Sequence, residues 1–395
     1  MKKELSFILA LSTGVYATNG DILIGVGTKT RGMGGAGIAF SHGAESTLTN
    51  PALITKVPQT QISFGGTIFM PTIKSDIGPT GNPKESDADI SVIPEVSIAS
   101  KIGSRVYLGV GMWGTAGMGT DFRGESSLMN METTLQLMQF AVPLAYKVNG
   151  FSIGVAPILQ YGSLDIYYQH PNPQIGVVSS GQSQDFGVGV SIGATYDFHN
   201  GLMVGAVYKS KIEMEYDRVL TTATAPFQAI PNFPAISDIL EQPAEAGVGV
   251  SYSFGAHSIA VDFKRIFWSD AKGYREFGWD DQDVYAVGYQ YSASNWDIRV
   301  GFNHGSNPVT IFDGAANMAA AALNMFNLLG FPATAKNHIT LGGTYRANSN
   351  FSTDIALVYA LNSKTSANIS ALGIAQEIKN EHKEFGVTIQ FNYNF

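Results

Sequence analysis

The residue types that carry covalent or metal chemistry are scattered along this chain. It has no cysteine, and its two Gly-x-Ser-x-Gly matches, at 150–154 and 189–193, fall inside segments that alternate like β-strands rather than at a strand-to-helix turn. The stretch from Gly25 to Gly37 is rich in glycine, but it lacks the Gly-Lys-Ser/Thr ending of a phosphate-binding loop. The seven histidines never show the His-x-x-x-His spacing of a helical metal site; they lie at positions 42, 170, 199, 257, 304, 338 and 382. We therefore expect no metal, no cofactor and no enzymatic activity.

The composition is unusual for a soluble enzyme of this length. Of 395 residues, 44 are glycine and only 14% are charged. The net charge of -8 argues against nucleic acid as a partner, because the phosphate backbone attracts basic proteins. A chain whose strands alternate between lipid-facing and interior residues has this kind of balanced composition.

Alternation of apolar with small or polar residues, the period of a β-strand, dominates the chain from about Gln59 onward. It is clearest at the C-terminus. Odd positions from Phe385 to Phe395 are all apolar or aromatic, whereas even positions from Gly386 to Asn394 are all small or polar. Such a strand suits lipid on one face and water or packing on the other.

The alternating segments number about fourteen, an even count as in single-chain bacterial barrels. They begin near Gln59, Ala88, Ser104, Gln136, Gly150, Ser183, Gly201, Ala244, His257, Asp281, Trp296, Asn337, Asn350 and Glu384. Short turns alternate with long segments at 74–87, 120–135, 168–182, 220–243, 269–280, 305–336 and 362–383. The pattern predicts an all-β fold, a transmembrane antiparallel β-barrel of 14 strands over residues 58–395. A soluble β-sandwich would also alternate, but its strands are shorter and its loops do not sort by side.

The N-terminus is predicted to be a cleaved signal peptide covering residues 1–17. Lys2 and Lys3 precede an apolar stretch from Leu5 to Val15, and Val15-Tyr16-Ala17 is a small-residue cleavage site, so the mature chain begins near Thr18. Residues 18–57, which we call the hatch, carry little strand pattern. Because they precede the first strand, we expect them to plug the lumen.

The long loops contain apolar residues that a general porin would not expose. Residues Ala315 to Leu329 are predicted to be helical, with Met325 and Phe326 on one face, and residues 226–240 include Phe227 and Phe233. Apolar loops must cover either each other or a ligand.

Several motifs closely resemble the FadL/TodX-type family of outer-membrane channels for long-chain fatty acids or aromatic hydrocarbons. They are the run from Gly27 to Gly37, Asn50-Pro51-Ala52-Leu53, Gly117-Met118-Gly119-Thr120, Asn307-Pro308-Val309, and Phe331-Pro332-Ala333 before Asn337. The resemblance covers nearly the whole chain after the signal peptide. It implies a 14-stranded barrel closed by an N-terminal hatch, ligand capture among the outer loops, and a kink in the third strand that opens the wall sideways.

By position, the resemblance implies that Asn50, Pro51 and Ala52 face this kink. The kink itself would lie at Gly114, Gly117 and Gly119. The sequence agrees physically, because glycine in a strand weakens pairing and permits bulges.

The ligand-binding residues are predicted in two groups. The candidates for outer capture are Phe227, Phe233, Met325 and Phe326. The candidates for an inner pocket are Met112, Trp113, Met129 and Met138, since the flexible thioether of methionine adapts to varied shapes. The alternative is that all of these residues only pack the loops and the hatch.

A fatty-acid carboxylate would need a cation. Lys264 and Arg299 fall on the inward face by alternation, and so do Asp262 and Asp297. The two cations could contact the carboxylate, or they could pair with these aspartates in a structural ladder.

The sequence thus predicts an outer-membrane channel for passive uptake of hydrophobic compounds, most simply long-chain fatty acids. The alternatives are a channel for monoaromatic hydrocarbons, a barrel lipase or protease whose catalytic residues come from distant strands, and a general porin or adhesin. The expected partners are a hydrophobic small molecule, outer-membrane lipid and lipopolysaccharide, and the barrel-assembly machinery through the strand ending at Phe395. We expect a monomer.

Overall fold

A computed structural model describes residues 18–78 and 81–395. The predicted signal peptide lies outside these residues. Fourteen strands form the wall: β1 (Thr60–Ile77), β2 (Ser91–Lys101), β3 (Val106–Asp121), β4 (Glu132–Ala141, continued by Leu144–Val148), β5 (Phe151–Gln169), β6 (Ser183–Asp197), β7 (Leu202–Lys209), β8 (Glu245–Phe254), β9 (His257–Ile266), β10 (Gln282–Ser292), β11 (Trp296–Gly305), β12 (Asn337–Arg346), β13 (Phe351–Asn368) and β14 (Glu377–Asn394).

The strands form one closed antiparallel ring. Each pairs with its neighbour in sequence, and β14 closes on β1 from Ile378–Ile77 to Asn394–Gln61. The predicted 14-stranded antiparallel barrel is confirmed. Closure joins the first and last strands, so paired residues satisfy their backbone groups within the wall.

No helix in the described ranges is both long enough and apolar enough to cross a membrane.

The two faces of the wall separate as the alternation predicts. Ile339 and Leu341 on β12 are exposed on the outer face, whereas Thr340 between them is buried inside. On β14, Ile389 is exposed outside and Gln390 is buried inside. Apolar side chains on the outer face need no hydrogen-bond partners, which lipid cannot provide. The polar groups on the inner face find partners within the lumen.

Several strand ends lie outside the predicted bounds. β13 runs to Asn368 and β14 begins at Glu377, so most of the segment 362–383 is paired strand rather than loop. Pairs such as Lys364–Glu381, 2.6 Å apart, continue this ladder with polar side chains. The apolar alternation ends where this polar ladder begins, so the alternation does not mark the full length of the two strands.

The hatch lies inside the ring and is almost entirely buried. It contains a short hairpin (Thr18–Asn19 with Ile22–Leu23), helix α1 (Thr28–Gly32) and two 3-10 turns, Gly43–Thr47 and Pro51–Lys56. The hairpin turns at Gly20, whose φ of 69° favours glycine. The hairpin is the only strand structure among the described residues of the hatch.

The outer loops carry the remaining elements. The predicted helix at Ala315–Leu329 is present as α3 (Met318–Met325), continued by a π-helical turn, Phe326–Gly330. The others are α2 (Val219–Thr224), the 3-10 turns Ser126–Leu128, Ala225–Phe227, Trp268–Asp270 and Ser370–Leu372, and the short strands Lys84–Glu85 and Val177–Ser179.

Candidate functional site

Buried ion pairs hold helix α1 of the hatch against the wall. Arg31 pairs with Glu95 on β2 and donates to the Thr67 hydroxyl on β1 at 2.5 Å. Lys29 lies 3.4 Å from Asp354 on β13. Because a buried charge without its partner is strongly unfavourable, these pairs fix where α1 docks.

Backbone groups of the hatch add a second set of anchors. Asp262 on β9 accepts hydrogen bonds from the Gly37 and Ile38 amides at 2.7 and 2.8 Å. Thr340 on β12 accepts from the Gly34 amide at 3.0 Å. Asp262 thus binds the hatch, and the predicted pairing of Asp262 with Lys264 is wrong.

The Asn50-Pro51-Ala52 segment begins the 3-10 turn Pro51–Lys56. The Asn50 side chain accepts from the Ala52 amide at 3.1 Å and donates to the Ala206 carbonyl on β7 at 3.3 Å. A Cβ at Gly154 on β5 would collide with Pro51, and one at Gly193 on β6 would collide with Asn50. These residues therefore pack against β5, β6 and β7, and that they also face the third-strand kink stays a prediction.

The wall is interrupted at the predicted position in β3. Pairing between β2 and β3 ends at Glu95–Trp113, and no pair joins the two strands above it in the described ranges. Thr115 forms a one-residue bulge against β4, between the pairs Gly114–Met138 and Ala116–Leu137. The half of β3 from Gly114 to Asp121, called its upper half, therefore has no β2 partner among the described residues, and only Asp121 at its end bonds to the loop before β2, through Ser86 and Asp87.

The hatch hairpin approaches this part of β3. Ile22 pairs with Ala116, and the Gly117 amide donates to the Asp21 carbonyl at 3.0 Å. The hairpin thus provides hydrogen-bond partners at the bulge. In the sequence only the glycine pattern marks the kink, and nothing marks the hairpin as its partner.

Asp21 ties the hairpin to two outer loops. Its carboxylate accepts from Gln242 at 2.8 Å and from the Tyr274 hydroxyl. Burial raises the pKa of Asp21 to about 6, although both hydrogen bonds act in the opposite direction. Sequence reasoning missed this contact, since its members are more than two hundred residues apart and share no motif.

The four predicted inner-pocket residues do not come together. Trp113 is buried and faces the interior, but Met112 is 39% exposed on the outer face. Met138 pairs with Gly114 on the outward side and is half-buried. The predictions for Met112 and Met138 are wrong, because adjacent strand residues such as Met112 and Trp113 cannot face the same side.

The predicted outer residues do form one apolar cluster. The ring of Phe227 lies 5.0 Å from that of Phe326 and 5.9 Å from that of Phe233. Met325 and Met129 are buried in the same cluster. Tyr168 and Phe277 join it through ring contacts with Phe326, which the sequence analysis missed because their own segments have no apolar run.

A cavity of about 80 Å³ lies between the hatch and the wall around β7 to β11. Its apolar lining includes Ile22, Ile24 and Leu48 of the hatch. Its polar lining includes Lys209 and Lys264, whose amino groups lie 3.0 and 2.7 Å from the two carboxylate oxygens of Glu245. The cavity is therefore amphipathic, with the charges along one side.

Arg299 lies away from this cavity, in a dense polar network. It is 2% exposed and donates to Gln290 at 2.6 Å, to Thr344 at 2.8 Å and to Asp297 at 3.1 Å. Its donors are already engaged, so the structural ladder is the prediction that fits Arg299.

A second cavity, of about 290 Å³, adjoins the upper half of β3. It is lined by Met118, Gly119 and Thr120 of β3, by Thr133 and Thr134 of β4, and by the loop that precedes β2. The space coincides with the stretch where β3 lacks a β2 partner.

Comparison with known proteins assigns the family. A sequence search among curated proteins finds no match. Similar solved structures include the toluene transporter TodX of Pseudomonas putida (18% identity, TM-score 0.71, covering 94% of this chain and 99% of that one). They also include a FadL homologue of Pseudomonas aeruginosa (16%, 0.73, 95% and 100%) and the toluene transporter TbuX of Ralstonia pickettii (19%, 0.68, 94% and 98%). Residues 17–395 match the family described as outer membrane protein transport protein (OMPP1/FadL/TodX), and the chain belongs to that family, which makes it an outer-membrane channel for hydrophobic compounds rather than an enzyme.

Proposed function

We propose that this channel takes up long-chain fatty acids by passive diffusion. The outer-loop cluster captures the ligand, the hatch gates its passage, and the ligand leaves sideways through the wall at β3. Release into the bilayer avoids water, which matters because each methylene gains about 0.8 kcal/mol on leaving water.

The unpaired upper half of β3 is the observation that supports this route. Between Trp113 and Asp121 the wall has no β2–β3 hydrogen bonds in the described ranges, and the hatch hairpin occupies the inner side of β3. Residues 183–190 of β6 also lack a β7 partner in the part of the chain that the structure describes, but the loop after β7 packs against them at Gly187. At β3 a lateral opening requires movement of the hairpin and of the side chains that cover the gap.

The proposed capture step rests on the cluster of Phe227, Phe233 and Phe326. Rings from separate loops meet there, with Met129 and Met325 filling the remaining space. Adaptable methionine side chains suit ligands of varied shape, and a set of weak apolar contacts permits release. The same cluster also packs the loops when no ligand is present.

The proposed carboxylate contact is Lys264, with Lys209 beside it. Two ammonium groups share the single carboxylate of Glu245 at the edge of an apolar cavity. The charge of Asp262, the other acid at this cavity, is already compensated by two hatch amides. The lysines can therefore accept a second carboxylate.

A monoaromatic hydrocarbon is the second candidate ligand. If the charge of Asp262 is counted with that of Glu245, the two acids balance the two lysines, and a neutral ligand then fits the cavity. Two of the similar structures are described as toluene transporters. The two candidates differ in whether Lys264 contributes to uptake.

Uptake of labelled oleate and of labelled toluene should be compared in liposomes that contain the purified barrel. With Lys264→Met we expect oleate uptake to fall by about tenfold, the effect of losing one charged hydrogen bond, while toluene uptake is unchanged. Lys364→Met, which removes an exposed cation near the outer end of β13, is the matched control. Toluene uptake alone in the wild type would favour the second ligand. No uptake of either compound, together with large steady conductance in planar bilayers, would contradict the proposed function.

We further propose that the chain works as a monomer in contact with outer-membrane lipid and lipopolysaccharide. The outer face of the wall is apolar around the whole ring, and Phe395, at the end of the chain, is 63% exposed. An exposed aromatic end at the last strand supports recognition by the barrel-assembly machinery.

A further inference from the structure

Glu384 is a buried carboxylate on β14 with no lysine or arginine partner among the described residues. It is 1% exposed. Its oxygens lie 3.2 Å from Nε2 of His338 on β12 and 3.1 Å from Nε2 of His382 on β14. A buried carboxylate normally requires a compensating positive charge, and neither imidazole carries a permanent one.

The remaining neighbour of Glu384 is the backbone nitrogen of Thr18. This nitrogen donates to Oε2 at 3.2 Å, and Thr18 is itself 2% exposed. Thr18 is also the residue at which the sequence analysis placed the start of the mature chain. If the chain is cut before Thr18, this nitrogen becomes an ammonium group, which carries the permanent charge that Glu384 lacks.

We propose that processing occurs between Ala17 and Thr18 and that the resulting α-ammonium forms a buried ion pair with Glu384, flanked by His338 and His382. This site holds one end of the hatch hairpin, while Ile22 holds the other end at the β3 bulge. A mature chain that begins one residue earlier would carry its ammonium up to about 3.5 Å from the Thr18 nitrogen, too far for the same pairing unless the hairpin shifts.

The first test is the intact mass of the mature protein purified from outer membranes, followed by labelling with an amine-acylating reagent at pH 7. We expect a mature chain that begins at Thr18. Only an accessible, unprotonated amine reacts, so we expect the Thr18 amine to be labelled at least about tenfold more slowly than the exposed Lys364. Denaturation should remove the difference.

The second test compares Glu384→Gln with Glu377→Gln, which changes a partly exposed glutamate on the same strand and leaves the reference Lys364 and its partner Glu381 unaltered. Labelling of Thr18 should rise toward the rate of Lys364 in Glu384→Gln and stay slow in Glu377→Gln. If Glu384→Gln does not assemble, the wild-type measurement still decides. A mature N-terminus at another residue, or a Thr18 amine labelled as fast as Lys364 in the native barrel, would overturn the proposal. Neither readout depends on transport, so the proposed function is tested separately.

Discussion

Two seams of the barrel wall, β14–β1 and β2–β3, are built from the same kind of alternating sequence but differ in continuity. The β14–β1 seam is paired without interruption from Ile378–Ile77 to Asn394–Gln61. The β2–β3 seam is paired only from Lys101–Tyr107 to Glu95–Trp113. The difference shows that pairing can be lost over half of one seam of a closed barrel while another seam stays continuous along its whole length.

The cause of the difference lies in β3 and in the hatch together. A bulge at Thr115 among closely spaced glycines turns the upper half of the strand away from the β2 ladder. Arg31 binds Glu95 at the last β2–β3 pair, and Ile22 pairs with β3 just above it. The hatch thus contacts both margins of the gap; Arg31 also reaches Thr67 and Thr388 at the β14–β1 seam, but there the ladder is continuous.

Deleting Thr115 should convert the interrupted seam into a continuous one. The pairs on either side of the bulge would then follow in regular register, and β3 could extend its pairing with β2. We expect uptake of the apolar ligand to fall by about tenfold or more, because the lateral route closes. Thr115→Val, which keeps the bulge, should retain uptake in the same liposome assay. Normal uptake by the deletion variant would show that the ligand leaves elsewhere.

Replacing Arg31 with methionine should detach α1 from the margin of the gap. Glu95 would be left as a buried, uncompensated charge, which costs about 3–5 kcal/mol. We expect frequent large openings in planar bilayers, with the barrel still migrating as a folded species in SDS before heating. The control is Lys364→Met, since an exposed pair contributes at most about 1 kcal/mol. Unchanged conductance in Arg31→Met would mean that the hatch is held without this pair.

Docking of the hatch hairpin should depend on pH through Asp21, which Gln242, Tyr274 and Glu245 surround. Burial raises the pKa of Asp21 from its ordinary 3.8 to about 6, so the docked form binds the proton more tightly than the released form. Docking is then strongest below pH 4, weakens by up to about 3 kcal/mol as the pH rises to 6, and is constant above that.

The measurement is hydrogen exchange of residues 18–24, corrected for the intrinsic effect of pH. Protection should be greater at pH 4 than at pH 7 in the wild type, and Asp21→Asn should remove the difference. Equal protection at both pH values in the wild type would exclude this role for Asp21.

Weakening the continuous seam should have the smallest effect. The hydroxyls of Thr67 and Thr388 are 2.8 Å apart across β1 and β14. Thr388→Val removes this bond at a cost of about 0.5–1.5 kcal/mol, so the temperature at which the barrel unfolds in SDS should fall slightly. Uptake should not change, because the proposed exit lies at the β2–β3 seam. A loss of uptake would remove the functional distinction between the two seams.

Much of the wall could be predicted from the sequence, and the errors have a common cause. The faces of β12 and β14 follow directly from their alternation, whereas Met112 was placed inside beside Trp113 because residue type was given more weight than parity. The ends of β13 and β14 were missed where polar pairs replace the apolar face. The outer cluster was predicted from its residue types alone. Large apolar side chains in loops, such as Phe227 and Phe326, can leave water only by packing against one another or against a ligand.

The sequence by itself determined that the chain forms a barrel, because a strand's pleat places alternate residues on opposite faces and this rule acts within a few residues. Only the tertiary structure decided which inward residues meet the hatch. The pairs Arg31–Glu95, Asp21–Tyr274 and Thr18–Glu384 depend on how the ring closes and how far neighbouring strands are offset. That offset is a property of the whole ring, and no local pattern of residues records it.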